Sequence, residues 1–202
     1  MSLSFLPLTD PCVRLNWPRI FGNDRPVEID LGAGDGSFIA ACARQHPERN
    51  FLATERLLGR ARKIAKKAER GPLPNLKVLR LESAYTLEHL VPPGSVAAVH
   101  LMFPDPWPKR RHWDRRLLQP AFAAHLVRAL SAGGEFRFTT DHAEYFEKGS
   151  EVLNQTPGLE AAPVWDLADY PKTDFEQDFA KEGRATHRGH WIKKEGTSPS
   201  AS

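Results

Sequence analysis

The residues of this chain most able to do chemistry form one short run. Phe103-Pro104-Asp105-Pro106-Trp107-Pro108-Lys109-Arg110-Arg111 sets a carboxylate between two prolines, an indole beside it and three cations after it. Prolines stiffen the backbone, so Asp105 and Trp107 are held in place. A fixed carboxylate accepts hydrogen bonds from the donor edge of a nucleobase, an indole stacks on a base or packs the loop, and Lys/Arg side chains suit phosphates. A second run, Glu28-Ile29-Asp30-Leu31-Gly32-Ala33-Gly34-Asp35-Gly36, spaces three glycines as G-x-G-x-G. Such glycines let the chain turn sharply and approach a ligand within contact distance. The dinucleotide fingerprint is G-x-G-x-x-G, and Ser37 stands where its last glycine belongs. Glu28, Asp30 and Asp35 would repel a diphosphate and suit a ligand that carries an ammonium and a sulfonium. Glu55, beyond the next strand, is placed to accept both ribose hydroxyls.

These groups need a frame, and the hydrophobic pattern supplies one. Val27–Leu31 reads as strand one and runs into the glycines; Ser37–His46 has helical spacing and Pro47 closes it. Phe51–Thr54 is strand two, ending in Glu55. Leu57, Leu58, Ala61, Ile64, Ala65 and Ala68 mark a helix stopped by Gly71-Pro72. Strand three is Leu76–Leu81, with a short helix over Tyr85–Leu90, and Val96–Phe103 is a buried strand four. A helix over Leu117–Leu130 leads through Gly133-Gly134 to strand five at Glu135–Thr139, and His142–Leu153 is the next helix. Two closing strands are expected near Ala161–Trp165 and His187–Ile192. Residues 1–24 read as an irregular arm, 25–194 as one domain and 195–202 as a disordered polar tail. Strands alternating with helices predict an α/β, mostly parallel sheet covered on both faces, with ligands beyond the carboxyl ends of its strands. The suspect residues follow strands one, two, four and five, where that rule puts them.

Composition narrows the class. At 202 residues, 41% hydrophobic and 26% charged, the chain has ordinary globular usage and room for one substantial core. The net charge of +3 names no partner, but its distribution is uneven: seven Lys/Arg and one Glu lie between Arg56 and Arg70. Lys109 to Arg116 holds five Lys/Arg, His112 and one Asp, while acids dominate Asp141–Glu151 and Asp166–Glu182. Segregation of this kind marks a nucleic-acid-facing side or, more blandly, a solvated helix face. Cys12 and Cys42 offer neither metal spacing nor a disulfide framework, and Cys42 belongs to a helix core. Pro7, Pro11 and Pro18 break the early apolar residues, and no run approaches a membrane span of roughly 20 residues. No metal and no membrane are expected, and cytoplasmic residence is the default. His100 reads as a core histidine within strand four, and Trp113, Trp165 and Trp191 as packing.

The glycine spacing and Glu55 select S-adenosylmethionine over a nicotinamide cofactor. With that, the chain resembles the tRNA (guanine-N7-)-methyltransferases, within the Rossmann-like class I methyltransferase fold of seven strands. The resemblance rests on Phe103-Pro104-Asp105-Pro106-Trp107-Pro108-Lys109, followed by Arg111, His112, Arg115 and Arg116. Glu28, Glu55, Thr140-Asp141 and the late Pro171-Lys172-Thr173-Asp174-Phe175-Glu176 reinforce it, in the family's order from Val27 to Ile192. It implies methyl transfer to N7 of a guanine in the tRNA variable loop, at position 46. It implies a catalytic role for Asp105 and cofactor contacts from Glu28, Gly32, Gly34, Glu55 and Ser83. It also implies substrate contacts from Lys109, Asp141, Thr173, Asp174, Phe175 and Glu176, and RNA contacts from Arg111, His112, Arg115 and Arg116. The chain departs from the family at Ser83-Ala84, where Asp-Ala is usual. There Glu82 or the Ser83 hydroxyl substitutes at the adenine amino group, or the contact is lost. Asp30 stands where the family often has Gly, and Asp114 interrupts the basic run. Two rivals remain on sequence alone: an amino methyltransferase, whose Asp/Asn-Pro-Pro-aromatic loop Asp105-Pro106-Trp107-Pro108 partly matches, and an RNA-binding scaffold without activity.

Overall fold

Val27–Leu31 (β1) and Asn50–Thr54 (β2) are buried at every position, as strands covered on both faces must be. A computed structural model describes residues 4–8, 10–165 and 170–196, apart from the side chains of residues 174, 175, 179 and 180. Among the described residues seven strands form one sheet, in the order β3-β2-β1-β4-β5-β7-β6. Leu76–Leu79 (β3), β2, β1, Val96–Met102 (β4) and Leu130–Thr140 (β5) run parallel, and His187–Lys193 (β7) enters antiparallel between β5 and Leu159–Ala162 (β6). The fold is therefore the α/β, mostly parallel arrangement that the alternation predicts.

Strand alternation divides the core in two. Val27, Ile29, Leu31 and Leu52 face one hydrophobic cluster, closed by the helices Trp17–Phe21 (α1), Pro120–Ala129 (α5) and Ala143–Gln155 (α6). Phe51, Ala53, Leu76 and Val78 face the other, beneath Ser37–Gln45 (α2) and Leu58–Arg70 (α3). The intervening β1 residues, Glu28 and Asp30, consequently project toward the α2/α3 side. Cys42 is fully buried there, Cys12 is exposed, and His100 is fully buried, as its strand-four position predicts.

Several elements differ from the sequence reading. The arm is not irregular throughout: Asn16 caps α1 by accepting from the Arg19 N–H at 2.9 Å, and Gly22 ends it at φ 74°. Trp17 Nε1 ties this helix to Ser95 Oγ at 2.9 Å, and Leu6 N–H donates to Val78 O at 2.8 Å beside β3. β5 begins at Leu130 rather than Glu135 because Gly133 (φ 68°) and Gly134 absorb a register shift opposite Val96 and Ala98. β6 ends at Ala162, short of the expected Trp165. The expected helix at 85–90 is a short α-helix, Ser83–Tyr85 (α4), widening into a π turn over Thr86–Leu90. The basic run forms a 3₁₀ turn, Arg110–Arg115, so α5 starts at Pro120 rather than Leu117. Asp174–Lys181 (α7) was not anticipated. Tail residues 197–202 lie outside the described residues.

Candidate active site

The loop between β1 and α2 is built on three glycines in the left-handed region: Gly32 at φ 74°, Gly34 at 60° and Gly36 at 79°. L-side chains rarely adopt that region. A Cβ on Gly36 would also lie 2.6 Å from Ile64 Cγ1, so the loop closes against α3 only without one. Its amides are held from β2: Ala33 N–H donates to Thr54 O at 2.9 Å, and Gly34 N–H to Glu55 Oε2 at 3.1 Å. Glu55 Oε1 accepts from Leu57 N–H at 2.7 Å. One carboxylate thus fixes both the glycine loop and the entry to α3.

Two adjoining cavities open at the carboxyl ends of the strands. The first, about 260 Å³, is lined by Gly32, Glu55, Glu82, Ser83, Asp105, Trp107 and Arg115 among others. The second, about 300 Å³, is lined by Asp30, Gly32, Gly34, Asp35, Phe38, Asp105 and Thr173 among others. Gly32, Arg60, Phe103 and Asp105 border both. A larger apolar hollow of about 620 Å³ lies between Phe5–Leu8 and α3; it is bordered by Arg62, Lys66 and Glu69 but by none of the expected site residues.

Asp105 sits where the cavities meet, exposed, and accepts no hydrogen bond from the described residues. Its loop is strained on both sides: Phe103 has φ 50° and Trp107 φ 42°. Non-glycine residues held there cost of order 1–3 kcal/mol each and persist only where their surroundings impose them. Arg116 does so here. Its Nε donates to Pro106 O at 2.8 Å, and its Nη1 and Nη2 grip Glu144 at 3.0 and 2.7 Å. The guanidinium, in a residue 4% exposed, lies 4.8 Å from the Trp113 ring centroid and 4.9 Å from that of Tyr145. Arg116 thus faces inward and clamps the loop, whereas Arg115 is exposed over the Trp107 ring at 5.0 Å. His112 packs edge-on against Trp107, and Lys109 and Arg111 are exposed.

The acids of β1 separate by depth along the strand. Asp30, 2% exposed, borders the second cavity; burial, and after it the negative Glu55, push its carboxyl up to about 7. Asp35 is partnered by Lys67 Nζ at 2.5 Å and by Ser37 N–H at 3.0 Å. Glu28 borders neither cavity. It receives Arg49 Nη1 at 2.6 Å and His100 Nε2 at 2.8 Å. Burial works to raise its pKa, but the His100 bond and the Arg49 and Arg137 guanidiniums outweigh this and hold it at about 2. His100, fully buried, is shifted toward its neutral form by desolvation.

On the third strand's side, Ser83 Oγ lies 3.2 Å from Thr54 Oγ1, and Glu82 caps α4 by accepting from Tyr85 N–H at 2.8 Å. Thr173 and Glu176 form a reciprocal cap on α7: Thr173 N–H donates to Glu176 Oε2 at 2.9 Å and Glu176 N–H to Thr173 Oγ1 at 3.0 Å. Glu176 is also bonded by Arg188 Nε at 2.9 Å, and Asp141 pairs with Arg184. The side chains of Asp174 and Phe175 lie outside the described residues. The structure therefore brings together Gly32, Gly34, Glu55, Ser83, Asp105, Arg115 and Thr173, and leaves Glu28 beneath the site. Sequence reasoning names Asp30 among the acids suited to a cationic ligand but gives the cofactor contact to Glu28, whereas it is Asp30 that borders the cavity. It missed Arg60 as a cavity residue. Nothing in the sequence pointed to Glu144. Among the described residues no helix is long and apolar enough to cross a membrane, and no group of three His, Cys, Asp or Glu is placed to hold a metal.

A family model described as "Putative methyltransferase" matches residues 24–193. A tRNA (guanine-N(7)-)-methyltransferase of Syntrophotalea carbinolica is 37% identical over 179 residues, 87% of this chain and 77% of that protein. One from Geobacter metallireducens is 35% identical over 186 residues, 88% of this chain and 87% of that protein. Among solved structures, the 16S rRNA methyltransferase KamB superposes with a TM-score of 0.66 at 19% identity, covering 88% of this chain and 92% of that one, a likeness of fold alone.

Proposed function

Because the chain belongs to the tRNA (guanine-N7-)-methyltransferase family, we propose that it methylates N7 of a guanine in the tRNA variable loop, at position 46. The observation that carries the reading is Asp105, a carboxylate without a hydrogen-bond partner among the described residues, in a strained loop where the two cavities meet. Incubation with labelled S-adenosylmethionine and unmodified tRNA, followed by cleavage at 7-methylguanosine, tests it. Cleavage at position 46 supports the reading, whereas label on an adenine or cytosine amino group overturns it. With tRNA as the substrate, we infer a cytoplasmic reaction.

The cavity residues fit S-adenosylmethionine. The glycine turn is open, with nothing within 4 Å of a Cβ built on Gly34. Glu55 keeps acceptor capacity for ribose hydroxyls, and Ser83 Oγ faces the same cavity for the adenine side. Asp30, raised by burial and after it by the negative Glu55, favours a cationic ligand. When bound, the cofactor supplies an electrophilic methyl group on a sulfonium. Guanine N7 has an in-plane lone pair and no proton, so no residue need act as a base there. The protein's task is to position and to stabilise charge. As the purine becomes cationic, its N1 and exocyclic amino protons become stronger donors. Asp105 accepts from that edge more strongly in the transition state than in the ground state. Thr173 and Glu176, with Asp141, border the guanine from the side of β7; Lys109, Arg111, His112 and Arg115 face the RNA backbone.

Two outcomes follow for binding. A cationic ligand selects ionised Asp30, so below pH 7 it must displace a proton from that carboxyl. Cofactor affinity should fall as pH drops below about 7, by up to about tenfold per unit. Calorimetry between pH 5.5 and 8 reads this directly, with Asp30→Asn flattening the profile; an equally steep profile in Asp30→Asn would assign the proton elsewhere. The second concerns α3, where Arg60, Lys63 and Arg70 are exposed and make no ion pair among the described residues. Lys63→Gln with Arg70→Gln should weaken tRNA binding and reduce the log–log salt slope by about 1 to 2. Unchanged slope with unchanged affinity would remove α3 from the RNA surface.

A further inference from the structure

The buried cluster around Glu28 contains more than a core needs, and it converges on one residue. Tyr170 lies 3% exposed beside Glu28, itself 1% exposed. The tyrosine hydroxyl is 3.0 Å from Glu28 Oε1 and 3.2 Å from Oε2, so it donates to that carboxylate. Arg49 Nη1 donates to the same hydroxyl at 2.6 Å. The Arg137 guanidinium stands 4.0 Å above the tyrosine ring, and His100 holds the other side of Glu28. Residues from β1, β4 and β5, with Arg49 from the turn before β2, thus hold one side chain outside the sheet. That side chain precedes the Thr173–Glu176 cap by three residues, with Pro171 between. Three residues span at most about 10 Å, and the proline narrows that reach further. Fixing Tyr170 therefore fixes where Thr173 can stand at the second cavity.

We propose that Tyr170, gripped by Glu28 and Arg49, is the positioning residue that docks the Thr173–Glu176 cap over the substrate side of the site. It acts through Thr173 and touches neither ligand. The inference rests on the tRNA methyltransferase reading. The pairing also gives Glu28 a role in substrate placement instead of cofactor contact.

A double-mutant cycle tests it. Tyr170→Phe removes only the hydroxyl and keeps the ring under Arg137. It should lower kcat/KM for tRNA about tenfold and leave cofactor Kd within twofold. Thr173→Ala should have an effect of similar size. The double variant should be no more than twofold worse than the worse single, because both break one arrangement. Multiplying effects, or a cofactor affinity that falls in step with kcat/KM, would overturn the proposal. Hydrogen exchange provides a second readout that needs no turnover. In Tyr170→Phe the amides of Glu176 and Gln177 should lose protection while those of β1 and β4 keep it; equal loss in all of them would mark a merely structural residue. Wild-type protein that methylates no tRNA refutes the functional reading instead, and the exchange experiment then still decides the anchor.

Discussion

Asp105→Ala should lower the rate of methyl transfer to tRNA by about 10²- to 10³-fold while cofactor affinity stays within twofold. That size is typical for removing one group preorganised toward charge that develops in the transition state. The stabilisation is differential. Guanine's N1 and amino protons are ordinary donors before transfer and markedly more acidic once N7 carries a methyl, so a carboxylate on that edge gains strength as the reaction proceeds. Asp105 is suited to this because its surroundings leave its acceptor positions open. Asp105→Asn retains one acceptor oxygen, loses the charge and presents an amide to a donor edge, so it should recover little. Single-turnover transfer and cofactor titration separate the two quantities. A parallel loss of cofactor affinity would show that Asp105 serves the other cavity.

Arg116→Lys should be nearly as damaging, although the substitution conserves charge. An ammonium cannot reproduce a fork that reaches Pro106 O and both oxygens of Glu144. The loop would be freed to relax its two left-handed residues, and displacement of about 1 Å at a reacting group can cost about 10²-fold. We expect that loss in kcat/KM, with stability lower by about 2 kcal/mol, or about 4–8 °C in Tm for a chain of this size. Arg115→Lys, at an exposed position, should leave Tm unchanged. The comparison is decisive because a phosphate-binding Arg116 would behave oppositely: a reduced salt slope for tRNA and an unaltered melting curve.

Much of this architecture is legible in the sequence. Apolar runs at strand length, helical spacing between them and glycines at one turn are enough for the parallel half of the sheet. The proline-bracketed Asp105 is conspicuous because no packing requirement calls for it. What escapes has specific causes. α1 spans five residues, too few for a period of 3.6 to show. β5 starts early because two glycines, which usually signal a turn, serve as a bulge within the strand. Glu28 and Asp30 share a face, and only their depth along β1 decides which one meets the cavity. Arg115 and Arg116 look alike in a basic run, yet the 3₁₀ turn sends one outward and the other to a glutamate 28 residues away. Long-range pairings of this sort, including Glu176 with Arg188, leave no local trace.

The position of β7 has a consequence for synthesis on the ribosome. β6 is made first, but it lies at the sheet's edge and pairs only with β7, which must insert between β6 and the apolar β5. At about 5–20 residues per second, emergence of the segment from Ala162 to Lys193 takes on the order of 2–6 s. Throughout that interval β5, with Phe136 and Phe138 in its interior half, stands as an open edge that any other strand could occupy. The nascent chain is therefore most exposed to mispairing, and most in need of a holding chaperone, in the interval between the emergence of β6 and that of β7.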